Sequence, residues 1–179
     1  MAETVIVDML ENHIGEITLN RPESLNTFTL PLASELNAAL LRLDGDSAVR
    51  IIILKGAGKA FCAGHNLKEM TAGRQARDGG QASFRDLFGQ SAALMQRIQT
   101  LPQPVIALVH GVARAAGCQL VASCDMAVAA HGTRFGVNGV NIGLFCSTPM
   151  VALSRNVPRK KAFEMLTTGR FIDAEEAER

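Results

Sequence analysis

Between Pro104 and Asp125 the chain reads PVIALVHGVARAAGCQLVASCD: an apolar run, a loop of small residues, then the opening of an apolar helix. A strand that hands a Gly/Ala loop to a helix amino terminus leaves backbone N–H groups unpaired and aimed at one spot. Such a spot receives an oxyanion or a polarised carbonyl. A second stretch follows the same plan, an apolar run at Ile51–Lys55 and then AFCAGHNLKEM over Ala60–Met70. Two junctions of this kind can direct donors at the same carbonyl oxygen, because small residues let backbone come close to a ligand. Gln119 sits one turn into the second helix, where a carboxylate would serve as general acid or base. An amide cannot take a proton at neutral pH.

Other chemistries fit the residues poorly. Cys62, Cys118, Cys124 and Cys146 form no CxxC pair, and His13, His65, His110 and His131 are scattered, so no metal site is expected. The thiols read as small buried side chains in a reducing compartment. Gly56-Ala57-Gly58-Lys59 is followed by Ala60 and lacks the spacing of a phosphate loop, and Phe61 stands where a dinucleotide fingerprint needs glycine. Gly89-Gln90-Ser91-Ala92-Ala93 lacks the last glycine of a nucleophile elbow.

The elements that must position the two junctions follow from periodicity. Thr4–Met9 and Gly15–Leu19 predict a β-hairpin, and Asn20-Arg21-Pro22 ends it. Leu30–Leu43 carries Leu32, Leu36, Leu40 and Leu43 on one helical face, with Thr29 as N-cap. Arg50–Lys55 reads as a strand covered on both faces. A short helix opens at Leu67 and runs into a polar, Gly-rich stretch, Ala72–Gln81, expected to be a mobile loop. Phe84–Leu101 is periodic for helix, Val105–Val109 and Asp125–Ala129 for buried strands, and Thr133–Gly136 for a short extended piece. Thr148–Asn156 and Arg159–Thr168 predict helices. Asp173 reads as the N-cap of another, with acids in its first turn. Strands alternating with helices imply an α/β fold with largely parallel pairing.

Composition narrows the partners. A formal net charge of +1 gives no electrostatic case for nucleic acid or an acidic membrane surface, and the absence of Trp and Tyr argues against base stacking. No apolar run approaches the ~20 residues of a membrane span. The amino terminus opens on a strand pattern with neither a signal nor a transit segment, which makes the cytoplasm the default. A single domain over residues 1–179 is expected.

The ordered set of motifs resembles the enoyl-CoA hydratase/isomerase, or crotonase, superfamily. It runs Ile17-Thr18-Leu19-Asn20-Arg21-Pro22 with Leu25-Asn26, Ala60-Phe61-Cys62-Ala63-Gly64 with Leu67-Lys68-Glu69, and Pro104-Val105-Ile106-Ala107 with His110-Gly111. Gly117-Cys118 with Cys124-Asp125, Phe135-Gly136 and Ile142-Gly143 complete it. The resemblance implies a spiral of ββα turns that binds an acyl-CoA thioester, coenzyme A entering only as part of the substrate. The thioester oxygen would lie between the N–H groups of His65 and Ala116. Asn26, Ala63, Gly64, His65, Asn66, Leu67 and Lys68 would line the cleft together with Ala116, Lys68 near a phosphate. The two glutamates of the family's hydratases fall at Gln119 and Gly139, so general acid–base catalysis, typically worth ~10²–10⁴-fold, is missing by that route. A cysteine nucleophile at Cys146 would need an activating base.

The resemblance further implies membership in fatty acid metabolism, as a lyase or isomerase, and a trimer or dimer of trimers built by a helical carboxy-terminal region. The chain stops before that region and is expected to be truncated there. Two other readings stay open. One is a non-catalytic acyl-CoA binder or regulatory paralogue. The other is a thioester hydrolase or decarboxylase that relies on enolate stabilisation alone.

Overall fold

The computed structural model describes residues 3–179. Strands β1 (Val5–Leu10) and β2 (Ile14–Leu19) pair antiparallel across a one-turn 3-10 helix at Glu11–His13, as the hairpin pattern predicts. Helix α1 (Leu30–Asp44) then crosses to β3 (Ile51–Gly56), which lies parallel to β2. Thr29 caps α1, its Oγ1 accepting from the Leu32 N–H at 3.3 Å. The leucine stripe of α1 is buried at Leu32, Leu36, Leu40 and Leu43. Each such side chain contributes roughly 2 kcal/mol of burial energy.

Helices α2 (Leu67–Arg74) and α3 (Gln81–Thr100) follow, then β4 (Val105–Val109) and the three-residue strand β5 (Val112–Arg114). Helix α4 (Ala116–Ser123) leads to β6 (Met126–Ala129) and β7 (Arg134–Gly136). A 3-10 turn at Asn138–Ile142 precedes α5 (Ser147–Asn156) and α6 (Arg159–Thr168), and β8 (Ile172–Asp173) and α7 (Ala174–Glu178) complete the chain. One sheet runs β1-β2-β3-β4-β6 and is parallel from β2 onward; a smaller sheet runs β5-β7-β8. The outcome is the expected α/β architecture with mostly parallel strands.

The core forms where α1 and α3 cover one face of the large sheet. Ile17, Leu19, Ile52, Leu54, Val105 and Ala107 from the strands meet Leu36, Leu40, Leu94 and Ile98 from the helices. Three expectations need correction here. Strand β3 is not equally covered on both faces: Ile52 and Leu54 are fully buried, whereas Ile51 and Ile53 are half-buried. Strand β6 is not buried at all; Met126 is 60% and Val128 57% exposed. It is the edge strand and pairs only with β4, so an apolar run that reads as doubly covered has no neighbour on one side.

The polar stretch after Leu67 is the third. It is helical through Arg74 and then turns through hydrogen bonds from Gln75, Ala76 and Gly79 to Ala72, Gly73 and Ala76. Asp78 closes this turn by accepting from the amides of Gly80 and Ala82, each at 2.9 Å, and those bonds hold its carboxyl below the usual range.

At the far end, Asp173 caps α7 through the Glu176 N–H, as its sequence context predicts. Lys161 and Arg170 bridge Glu164 and Glu176, tying α6 to α7. No helix among the described residues is long and apolar enough to cross a membrane.

Candidate functional site

The two strand–loop–helix junctions are sewn to one another. Phe61 N–H donates to His110 O at 3.0 Å, Cys62 N–H to Val112 O at 3.2 Å, and Arg114 N–H to Cys62 O at 3.0 Å. Cys62 and Ala113 thereby form a parallel bridge outside either sheet. Contact between the loops requires missing side chains. A Cβ on Gly117 would collide with the Cys62 carbonyl, and one on Gly64 would stand 2.8 Å from Arg114 O and 3.5 Å from Ala116 N. Gly64 also has φ +87°, a left-handed conformation natural to glycine.

Most amides around the joint are spent. Ala63 donates to Leu25, Asn66 to Phe28 and Ala115 to Gly136, while Phe28 donates back to Gly64. The N–H groups of His65 and Ala116 have no acceptor among the described residues. Ala116 is the first residue of α4, a helix whose N-cap makes no side-chain bond. Its backbone is regular. The strain lies one residue earlier, at Ala115, with φ 49° and ψ −114°, a region that costs a non-glycine residue ~1–3 kcal/mol.

The joint opens on a cavity of about 100 Å³. Ala63, His65 and Leu67 line it from the first junction, Arg114 and Ala115 from the second, Met70 and Phe88 from α2 and α3, and Asn138, Gly139 and Cys146 from the turn before α5. None of the lining residues is an Asp or a Glu.

The His65 ring lies between Phe28 and Phe88, at centroid distances of 5.8 and 5.4 Å. Its Nε2 is 3.3 Å from Ser91 Oγ. Ser91 O–H is committed to Leu87 O at 2.8 Å, so Oγ accepts from Nε2–H and the Nδ1 lone pair is left unprotonated. Burial pushes the imidazole down to about 4, which keeps the ring neutral at physiological pH. Burial raises the Cys146 thiol as well, so it stays protonated and is no activated nucleophile. The other three thiols are buried and free, as expected.

Several expected site residues have other tasks. Asn26 is fully buried. Its Oδ1 accepts from Arg21 N–H at 2.8 Å, and its Nδ2 donates to the carbonyls of Ala57 and Ala60 at 2.9 Å. Its amide clasps two loops and has no N–H donor left for a ligand. Asn66 caps α2 by accepting from the amides of Lys68 and Glu69, which removes the helix-end donors expected there. Lys68 is exposed at the first turn of α2, beside an open depression formed with Leu67, Thr71 and Gln75.

Gln119 and Gly139 are not brought to one cavity. Gly139 lines the space beside His65; Gln119 lies three residues into α4, about 4.5 Å along the helix from Ala116, and opens on a different cavity with Gln96, Gln99 and Arg155. Gly139 also cannot simply carry an acid. A Cβ there would collide with Leu144 O and stand 2.8 Å from Cys146 Sγ. Sequence reasoning overlooked Arg114, Phe88 and Ser91. Arg114 alone left a signal, a cation set in a run of small and apolar residues.

Comparison with known proteins shows the family. Residues 9–179 match the family described as enoyl-CoA hydratase/isomerase. The chain is 50% identical over 167 residues to the mitochondrial enoyl-CoA hydratase domain-containing protein 3 of Xenopus laevis, covering 93% of this chain and 55% of that protein. Against the human protein of that name the identity is 46% over 164 residues, covering 92% and 52%. A solved enoyl-CoA hydratase from Mycobacterium smegmatis superposes with a TM-score of 0.91 at 50% identity, covering 98% of this chain and 66% of that one. The chain thus spans about half the length of the curated relatives it matches. The cytoplasmic default does not stand, because these relatives of frog and man are mitochondrial proteins by name and a reading of the amino terminus alone misses that. The chain belongs to the enoyl-CoA hydratase/isomerase family.

Proposed function

We propose that the chain binds a short acyl-CoA thioester with its carbonyl oxygen between the amides of His65 and Ala116. One observation carries this reading: two unspent N–H groups on either side of a sewn joint, at the edge of a small apolar cavity. A preorganised donor at a developing oxyanion is worth ~3 kcal/mol in a dry site. Charge that builds on the oxygen as the thioester enolises is met by both donors without reorganisation. The cavity, at about 100 Å³, is small, which suits a short acyl chain. Lys68, exposed beside the mouth, is the candidate for a coenzyme A phosphate.

The proton chemistry is where this chain departs from a hydratase. No carboxylate lines the cavity, and the neutral His65 ring, with a value near 4, is a weak base. Decarboxylation, in which C–C cleavage releases CO2 and leaves an enolate for the two amides to hold, needs no base to take an α-proton and is favoured over hydration. A binder without turnover is the second reading, favoured by the same lack of an acid.

Carbon-13 NMR tests the carbonyl contact. The carbonyl of [1-¹³C]butyryl-CoA is expected to move downfield on binding, and crotonyl-CoA to be hydrated no better than ~10⁻² of the rate of a glutamate-bearing relative. An unshifted bound carbonyl, or brisk hydration, would overturn the proposal.

A further inference from the structure

We infer that Arg114 selects acyl thioesters that carry a carboxylate on the acyl chain, an inference that rests on the acyl-CoA reading above. Arg114 ends β5 immediately before the strained Ala115 and lines the same cavity as His65 and Gly139. Its Nε donates to Ala63 O at 3.1 Å, which fixes the base of the guanidinium against the first junction. The terminal nitrogens make no hydrogen bond, and no carboxylate lies within ion-pair distance, among the described residues.

The setting makes this unusual. Most of the loop amides around it are already paired within the protein. The remaining lining is apolar apart from Asn138, the neutral His65 and the Cys146 thiol, so nothing in the cavity offsets the positive charge. A half-buried guanidinium with an open donor fork is matched by one ligand chemistry above others, a planar carboxylate held by two parallel hydrogen bonds. A purely structural arginine would spend more than one donor on the fold. The small volume favours a short dicarboxylic acyl group, of about three or four carbons.

Calorimetry with malonyl-CoA, succinyl-CoA and isovaleryl-CoA decides the matter. Isovaleryl-CoA replaces the malonyl carboxylate with an uncharged isopropyl group of similar branching and leaves coenzyme A unchanged. At least one carboxylated thioester is expected to bind roughly tenfold tighter than isovaleryl-CoA, the worth of one charge-assisted contact. Arg114→Met should collapse that ratio to about one, and Arg114→Lys should retain part of it. Arg114→Gln keeps a donor for Ala63 O and serves if the Met variant does not fold. Equal binding of the charged and neutral thioesters by the wild-type chain would overturn this inference and leave the acyl-CoA reading intact. A ratio unchanged in the variants would overturn it too, since an arginine on the thioester oxygen or on coenzyme A weakens all ligands alike. Binding of none of the three would defeat both.

Discussion

The two junctions share a plan and solve it in opposite ways. The first turns at Gly64, a glycine in a left-handed conformation, and then closes its helix with the Asn66 side chain. The second turns at Ala115, a residue with a side chain in a conformation suited to glycine, and leaves its helix without a cap. One junction is relaxed and mostly satisfied, with the His65 amide over. The other is strained and open. Each kind leaves a donor: the first keeps the His65 amide, which precedes the cap, and the second keeps the leading amide of its uncapped helix.

The joint itself is the place to break this contrast. Gly117→Ala would drive a methyl group into the Cys62 carbonyl, and backbone there has nowhere to move without parting the two loops. A loss of about 3 kcal/mol is expected in urea denaturation, the upper range for overpacking a tight contact. An alanine tolerated at this position would mean the loops are not held in register.

Acid separates the buried ring of the first junction from the rest. His65 falls from an ordinary 6.5 to about 4 in the folded chain, so below pH 6.5 the unfolded chain takes up a proton that the folded one refuses. Its contribution is whole above pH 6.5 and drains away as pH falls toward 4, a total of roughly 3 kcal/mol. Melting temperature followed across that window should show the slope in the wild-type chain and lose it in His65→Gln.

Smaller effects of opposite sign sharpen the comparison of cap with strain. Asn66→Ala should cost about 1 kcal/mol by freeing the Lys68 and Glu69 amides, whereas Ala115→Gly should gain up to about 1 kcal/mol by relaxing the backbone. Denaturant midpoints measured side by side would report both. Two losses instead of a loss and a gain would show that Ala115 is not strained.

What could be read ahead of the structure was local. Thr29 and the four leucines of α1 lie within one helix, and Asp173 reaches an amide three residues away, so spacing alone defines their roles. What could not be read depended on distant partners. Strand β5 is three residues long and exists by pairing with β7, more than twenty positions on. MAVA at β6 looks buried by composition, and only its place at the sheet edge leaves it exposed. Asn26 has the chemistry of a ligand-binding residue, yet the carbonyls at 57 and 60 come to it through the fold. The same limit hid the cavity, since Arg114 and Gly139 meet there across a sheet.

The unspent amides of His65 and Ala116 are properties of peptide planes. No exchange of one ordinary side chain for another deletes them; only proline does. Residues 65 and 116 can therefore drift in type, changing the shape and polarity of the walls, while the anion receptor persists. Acid and base groups have no such protection, since a single codon change removes a carboxylate. A fold built this way sheds proton transfer readily and keeps its grip on a carbonyl for as long as the two loops stay joined.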